Sequence, residues 1–110
     1  MSKYLLLVFS KPAPGQEAAY HEWYDGTHLA DVIAVAGFKA ASRYRPVPAV
    51  EGVVPTDEYL AIYEIESDDP AVTMAELMEA ASNMYIPPAI DLSTVRLELQ
   101  KLITPRLERS

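Results

Sequence analysis

Two stretches of the chain are apolar at nearly every position. Tyr4–Phe9 and Tyr59–Ile65 are typical of strands buried on both faces, because a half-exposed strand would carry polar residues at every second position. Phe38–Arg45 and Ser93–Lys101 alternate instead, as strands with one wet face do. The pattern therefore predicts two central and two edge strands.

In the second strand, strict alternation assigns the side chains to two opposite faces. One face receives Phe38, Ala40, Ser42 and Tyr44, and the other receives Lys39, Ala41, Arg43 and Arg45. The two arginines would then project from the sheet edge. We expect them to be solvated charges rather than an anion-binding clamp.

Helical periodicity occupies two of the intervening segments. Over residues 16–35 apolar positions recur every 3.6 residues, which predicts one long helix or two short helices that meet at Gly26. Asp69 offers a capping carboxylate and Pro70 suits the first helical position, so a second helix is expected over 70–82. The element order is that of an α+β, ferredoxin-like βαββαβ fold, with a four-stranded antiparallel sheet and two helices on one face.

Chain length and the apolar strands together predict an association. The 110 residues, half of them hydrophobic, suit a single ferredoxin-like domain over residues 1–104 and a surface tail over 105–110. Two helices cover only one face of such a sheet, yet the central strands are apolar on both faces. We expect two copies to stack sheet to sheet, as a homodimeric α/β barrel.

The composition excludes several classes of binding partner and of chemical site. A formal charge of −7, from 9 Lys and Arg against 16 Asp and Glu, opposes binding to nucleic acid and to anionic membranes. With no cysteine, disulfides, thiolate metal sites and thiol nucleophiles are excluded. The four glycines lie singly, so no nucleotide-binding loop is expected, and the apolar run Tyr4–Phe9 is too short for a signal peptide or membrane span. We expect a cytoplasmic protein that uses no cofactor.

The densest chemistry lies in Tyr20–His28, which holds both histidines and the only tryptophan. Imidazole changes its charge near neutral pH, so it is suited to proton transfer there. A straight α-helix would nevertheless place His21, Asp25 and His28 together on a polar stripe that faces water. If Gly26 interrupts the helix, His28 can turn inward from the first turn of a second segment.

An inward His28 would be a general base. Asp25, three residues earlier, would accept a hydrogen bond from one ring nitrogen and leave the other nitrogen for the substrate. Asp31, three residues later, could serve equally, and the spacing does not choose between them. We expect His21 at the surface. A metal site made from the two histidines and Asp25 matches no ligand signature, so no metal is predicted.

Four aromatic residues are candidate substrate-binding groups. Trp23 belongs to the apolar side of the helix, and Tyr24 adjoins the histidine site. Tyr44 sits on an edge strand, and Tyr85 lies in a proline-rich segment that suits a lip over an apolar pocket. The tyrosines of the central strands are expected to serve core packing instead: Tyr4, Tyr59 and Tyr63.

The segment 22–31, followed by Ala36-Gly37-Phe38 and Arg43-Tyr44, resembles the EthD-like branch of the dimeric α/β-barrel superfamily. The shared features are an aromatic pair, a histidine a few residues later, and a small residue with Gly-Phe leading into the second strand. The resemblance implies a ferredoxin-like dimer. Relatives in the superfamily include cofactor-independent monooxygenases, cyclases, lactone isomerases and haem-degrading enzymes.

The chain departs from that pattern in two places. Trp23 comes before Tyr24, whereas the EthD-like pattern usually has the tyrosine first, and Ala30 stands where a proline usually follows the histidine. The Asn, Trp and His arrangement of the haem-degrading branch has no counterpart here, because the tryptophan and both histidines share one helix. We therefore transfer the fold more readily than any one reaction.

Three functions follow from this sequence. The first is a small dimeric enzyme that binds an apolar or aromatic metabolite and uses His28 for cofactor-independent isomerisation, cyclisation, dehydration or oxygenation. The second is a non-catalytic ligand-binding or accessory protein of a degradation pathway. The third is a structural dimer whose histidines are solvated. The burial of His28 distinguishes the first from the third.

Overall fold

The computed structural model describes all 110 residues, and its elements follow the predicted order. The strands are β1 (Ser2–Pro12), β2 (Phe38–Tyr44), β3 (Tyr59–Ser67) and β4 (Ile90–Lys101). The helices are α1 (Glu17–Trp23), a π-helical turn (Tyr24–His28), α2 (Leu29–Ile33) and α3 (Pro70–Ala81). No helix combines the length and the apolar character that crossing a membrane requires.

The four strands form one antiparallel sheet in the order β2-β3-β1-β4. The two strands that are apolar on both faces, β1 and β3, are therefore central, and the two alternating strands lie at the edges. The α+β ferredoxin-like arrangement predicted from the sequence is confirmed.

The hydrophobic core lies between the helices and the inner face of the sheet. Leu6 of β1 pairs with Tyr63 of β3 at its centre, and both residues are only 1% exposed. Tyr20, Trp23 and Tyr24 close the core from the helical side. The segment Tyr20–His28, which carries most of the candidate chemistry, therefore also packs against the core.

A β-bulge in β2 reverses part of the predicted alternation. The register with β3 shifts between Phe38 and Ala40, because one extra residue enters the edge strand. Arg43 consequently points toward the helices: it pairs with the buried Ala61, and its side chain is only 12% exposed. The prediction that Arg43 is a solvated edge charge is wrong for this reason.

Gly37 makes the tight connection from α2 into β2. Its φ of +91° lies in a region that residues other than glycine rarely adopt. A Cβ at this position would lie 3.2 Å from the backbone oxygen of Glu66. The Glu66 N–H donates to the Gly37 carbonyl at 2.9 Å. This close approach ties the end of the long helix to the centre of the sheet.

The start of α3 has the predicted cap. The Asp69 side chain accepts hydrogen bonds from the backbone N–H groups of Ala71 at 3.0 Å and Val72 at 3.4 Å, and Pro70 occupies the first turn. The cap fixes the end of α3 from which the helix crosses the inner face of the sheet.

Candidate functional site

The helix that carries the histidines is continuous but widened. Residues Tyr24–His28 form a π-helical turn, in which the N–H of Leu29 donates to the carbonyl of Tyr24. The backbone keeps right-handed helical angles at both ends of the turn, and a Cβ on Gly26 would meet no atom within 4 Å. The structure therefore has one helix with an extra residue, and no second segment begins at Gly26.

The π turn directs His28 inward. In an α-helix a residue five positions later lies about 140° around the axis, whereas the extra residue of a π turn brings it to about 40°, the angle of a four-residue spacing in an α-helix. The His28 ring accordingly stacks on Trp23, with ring centroids 4.4 Å apart and 24° between the planes. The edge of Tyr24 packs against the same imidazole at 5.2 Å.

An apolar cavity of about 350 Å³ lies in front of His28, between the helices and the inner face of the sheet. Trp23 and Tyr24 line it from the helix, and Tyr63 lines it from the sheet. His28 is the only residue of its wall that is not hydrophobic. The structure thus brings three of the predicted site residues together at one small-molecule-sized cavity.

Two polar atoms on residues that line the cavity are shut off from water and have no hydrogen-bond partner: His28 Nδ1 and the Tyr63 hydroxyl. Buried polar groups are almost always paired, so each unpaired one requires an explanation. Burial lowers the pKa of His28, and the nearby charge of Asp31 opposes this effect. The imidazole is therefore neutral at neutral pH and can accept a proton.

Burial also sets the protonation state of the tyrosines. It raises the pKa of Tyr24 to about 12, and the neighbouring Tyr20 adds to the effect. Burial raises the pKa of Tyr63 still further, again with a contribution from an adjacent tyrosine, Tyr24. Both hydroxyls hold their protons at neutral pH, which makes them donors.

Asp25 does not contact His28. Its carboxylate accepts a hydrogen bond from Arg43 Nη1 at 2.7 Å, and its side chain is 62% exposed. Three-residue spacing aligns side chains in an α-helix but not in the wider π turn, so the expected Asp25–His28 contact is not formed. Of the two candidate carboxylates, Asp31 is the one whose charge acts on His28.

Arg43 organises a separate group of polar side chains outside the cavity. Its Nη2 donates to His21 Nδ1 at 3.1 Å, and its guanidinium lies 4.4 Å from the centre of the Tyr24 ring. His21 also packs edge-on against Tyr59, with ring centroids 4.8 Å apart. The expected surface position of His21 is thus a half-buried one, where burial and then Arg43 lower the pKa of its imidazole.

The other two predicted substrate-binding residues, Tyr44 and Tyr85, do not line the cavity. Tyr44 is 54% exposed and lines a different hollow, beside Arg43. Tyr85 is 64% exposed, but its backbone carbonyl accepts a hydrogen bond from Trp23 Nε1 at 2.9 Å. Tyr85 therefore holds the wall of the cavity through its backbone.

No three histidine or acidic side chains gather into a group that could hold a metal ion.

Two residues of this region were missed by reasoning from the sequence. Tyr63 falls in a nearly continuous apolar run, so its pattern is that of a core tyrosine. Arg43 was assigned to the wrong face because no residue type in β2 indicates that the strand contains a bulge. The one available signal was chemical: a tyrosine hydroxyl in a fully buried strand must find a partner or face a cavity.

No family model and no curated protein matches the chain. Solved structures do match over nearly its full length. A protein of unknown function from Nitrosomonas europaea is 20% identical, with a TM-score of 0.58, over 100% of this chain and 98% of that chain. An EthD family protein from Bacillus halodurans is 15% identical, with a TM-score of 0.58, over 94% of this chain and 100% of that chain.

A third match is a mutant of MhuD with two manganese protoporphyrin IX groups bound per active site. It is 16% identical, with a TM-score of 0.62, over 96% of this chain and 99% of that chain. Identities this low establish a shared architecture and leave the activity open. The chain shares its ferredoxin-like fold with these proteins, one of which is an EthD family protein.

Proposed function

We propose that the protein binds a compact apolar metabolite that contains a ring, and that His28 transfers a proton on it. One observation carries the proposal: a neutral imidazole with an unpaired buried nitrogen stands in the wall of an otherwise hydrophobic cavity. An unpaired polar atom costs folding free energy, so its retention favours a role in binding or chemistry.

The surroundings of His28 suit a general base. Because burial keeps the imidazole neutral, it is ready to accept a proton, and the apolar wall around it strengthens its electrostatic interaction with the ligand. A positioned base of this kind contributes about 10²–10⁴-fold to a proton transfer. Isomerisation, cyclisation, dehydration and oxygenation of a carbon acid all begin with such a transfer.

Binding is tested with Trp23, the only tryptophan, as the reporter. We expect 1-naphthol and 2-tetralone to change its fluorescence, because Trp23 lines the cavity. Ala81→Phe, which fills the cavity from the end of α3, should abolish the change. An unchanged signal in Ala81→Phe would place binding elsewhere.

Chemistry is tested by exchange of the acidic C–H protons of 2-tetralone with deuterium from D₂O, followed by NMR. The wild-type protein should accelerate the exchange, and His28→Gln should lose the acceleration while it still binds. Equal exchange in His28→Gln rejects His28 as the base. Binding without exchange in the wild type supports the non-catalytic ligand-binding alternative, which the lack of a hydrogen-bonded partner to orient His28 favours.

We further propose that two copies associate through the outer face of the sheet. On that face Phe9 pairs with Leu60 and Leu7 pairs with Ile62 across the two central strands, and no helix covers them. A row of adjacent apolar side chains of this kind is typical of an interface. The dimeric α/β barrel expected from the sequence buries this row against its copy.

A further inference from the structure

A second hollow lies between the helix that carries His21 and the edge strand β2. Its volume is about 310 Å³, and it shares no residue with the cavity that His28 lines. We call it the polar hollow, and its wall consists of His21, Asp25, Arg43, Tyr44, Arg45 and Tyr59. Two arginines stand against one aspartate in this wall, in a chain whose formal charge is −7. The polar hollow therefore attracts anions that the chain as a whole repels.

Arg43 fixes the state of His21 on one side of the polar hollow. Its guanidinium donates to the Asp25 carboxylate at 2.7 Å and to His21 Nδ1 at 3.1 Å. Because a guanidinium can only donate, Nδ1 is the acceptor, and the neutral imidazole carries its proton on Nε2. Nε2 has no partner within the protein and is accessible to solvent. His21 thus has a free N–H donor on a ring that Arg43 holds in place.

Arg45 and Tyr59 supply further donors. Arg45 forms no salt bridge with any carboxylate of the chain, so its charge is available to a ligand. The Tyr59 hydroxyl makes no hydrogen bond within the protein, yet it is not shut off from solvent. Asp25 is the only carboxylate in the wall, and Arg43 already neutralises it.

The electrostatic field in the polar hollow has the sign that an anion requires. Burial lowers the pKa of His21, and the charges of Arg43 and then Arg45 lower it further. The carboxylates of Asp25 and Glu17 oppose the two arginines less strongly. The potential at the imidazole is therefore positive, although the whole chain is acidic.

We propose that the polar hollow binds the carboxylate of a small aromatic acid, with Arg45 as the counter-charge and with His21 Nε2 and the Tyr59 hydroxyl as hydrogen-bond donors. A planar carboxylate matches the fork of a guanidinium. The rings of Tyr44 and Tyr59 give the flat body of the acid an apolar surface.

The apolar cavity beside His28 does not suit the same ligand. No lysine or arginine lines that cavity, so a carboxylate there would be desolvated without a counter-charge, which is strongly unfavourable. The protein then has two sites of different chemistry, one for an anionic and one for a neutral ring compound. Because the two sites share no residue, this inference is independent of the proposed function.

The experiment compares benzoate with benzamide, which has nearly the same shape and no charge. Binding is followed by the NMR shifts of the histidine ring protons, which the spectrum of His21→Gln assigns because the chain has only two histidines. Benzoate should shift the ring protons of His21 along a saturable curve and leave those of His28 in place. Benzamide should bind about tenfold more weakly or less.

Three variants test the assigned roles. Arg45→Met should weaken the binding of benzoate about tenfold or more, and Tyr59→Phe should weaken it about fivefold. Since neither side chain makes a contact that the fold needs, both variants should keep the melting temperature of the wild type. Arg106→Met removes the same charge from the exposed tail and is the matched control.

Several results would overturn the inference. Benzoate might bind Arg45→Met as tightly as the wild type, or lose as much affinity in Arg106→Met, and in either case the polar hollow is not the site. Benzamide that binds as tightly as benzoate would show that charge is not recognised, and inorganic phosphate that binds more tightly would reject a carboxylate as the ligand. A failure of 2-tetralone to bind, in contrast, would contradict the proposed function and leave this site standing.

Discussion

His28 owes its state to the side chains that exclude water from it. Burial outweighs the opposing charge of Asp31, so the folded protein binds a proton at His28 less readily than the unfolded chain does. The same desolvation that leaves Nδ1 without a partner thus keeps the imidazole neutral. Desolvation therefore explains both the folding free energy that His28 costs and the neutral imidazole that proton transfer needs.

This imbalance makes stability depend on pH. The pKa of His28 is about 6.5 in the unfolded chain and lower in the fold, so between those two values the unfolded chain binds more protons and stability rises with pH. We expect the urea midpoint of the wild type to fall as the pH drops from about 7.5 to about 5.5, with a smaller fall in His28→Gln. His21 contributes with the same sign, so His21→Gln identifies its share. A full-sized fall in His28→Gln would contradict the assignment.

Arg43 shows what a partly buried charge contributes at the scale of a residue. Its guanidinium joins the edge strand to the π turn through Asp25, His21 and the face of Tyr24. Arg43→Met keeps the apolar stem but loses these contacts, and we expect a loss of about 1–3 kcal/mol in the free energy of unfolding. Arg45→Met, at an exposed arginine two residues away, should change it little. Equal losses in the two variants would show that Arg43 contributes nothing specific.

At the scale of elements, the sequence was informative wherever one repeating pattern covered a whole element. Apolar runs and alternation identified all four strands, and Asp69 with Pro70 marked the start of α3. The two failures each involve one extra residue. The bulge after Phe38 and the π turn around Gly26 shift every later side chain, yet no residue type is required at either place.

The π turn can be tested by removing its extra residue in two ways. Deletion of Gly26 should give a regular α-helix in which His28 follows Trp23 by four positions, so the ring stack is kept. Deletion of Ala30 should also give a regular helix, but it leaves His28 five positions after Trp23 and rotates it away by about 140°. The two variants have equal length and differ in the predicted orientation of one imidazole.

The measurement is the NMR shift of the His28 ring protons, which a stacked indole moves upfield. With only two histidines in the chain, the spectrum of His21→Gln assigns both. We expect the upfield shift in the wild type and after deletion of Gly26, and its loss after deletion of Ala30. The same shift in both deletion variants would mean that the π turn does not set the orientation of His28.

At the scale of the whole molecule, the two faces of the sheet pack against different surroundings. The inner face builds the core and one wall of the cavity, and the outer face carries cross-strand apolar pairs such as Leu7 with Ile62. Because successive residues of a strand point to opposite faces, each central strand contributes side chains to both faces at once. The apolar character on both faces, which identified the central strands, is thus also the reason to expect a second copy.

A charge placed at the centre of the outer face tests that association. Ile62→Glu should convert a dimer into a monomer at micromolar concentration in light scattering, because burial of the carboxylate against the second copy would have no compensating partner. Val72→Glu makes the same change at an exposed position of α3 and should leave the dimer intact. Since Ile62 lies on the face away from the cavity, binding of 2-tetralone should survive in the monomer. A wild-type protein with the mass of a single protomer would reject the dimer, and a dimeric Ile62→Glu would place the interface on another surface.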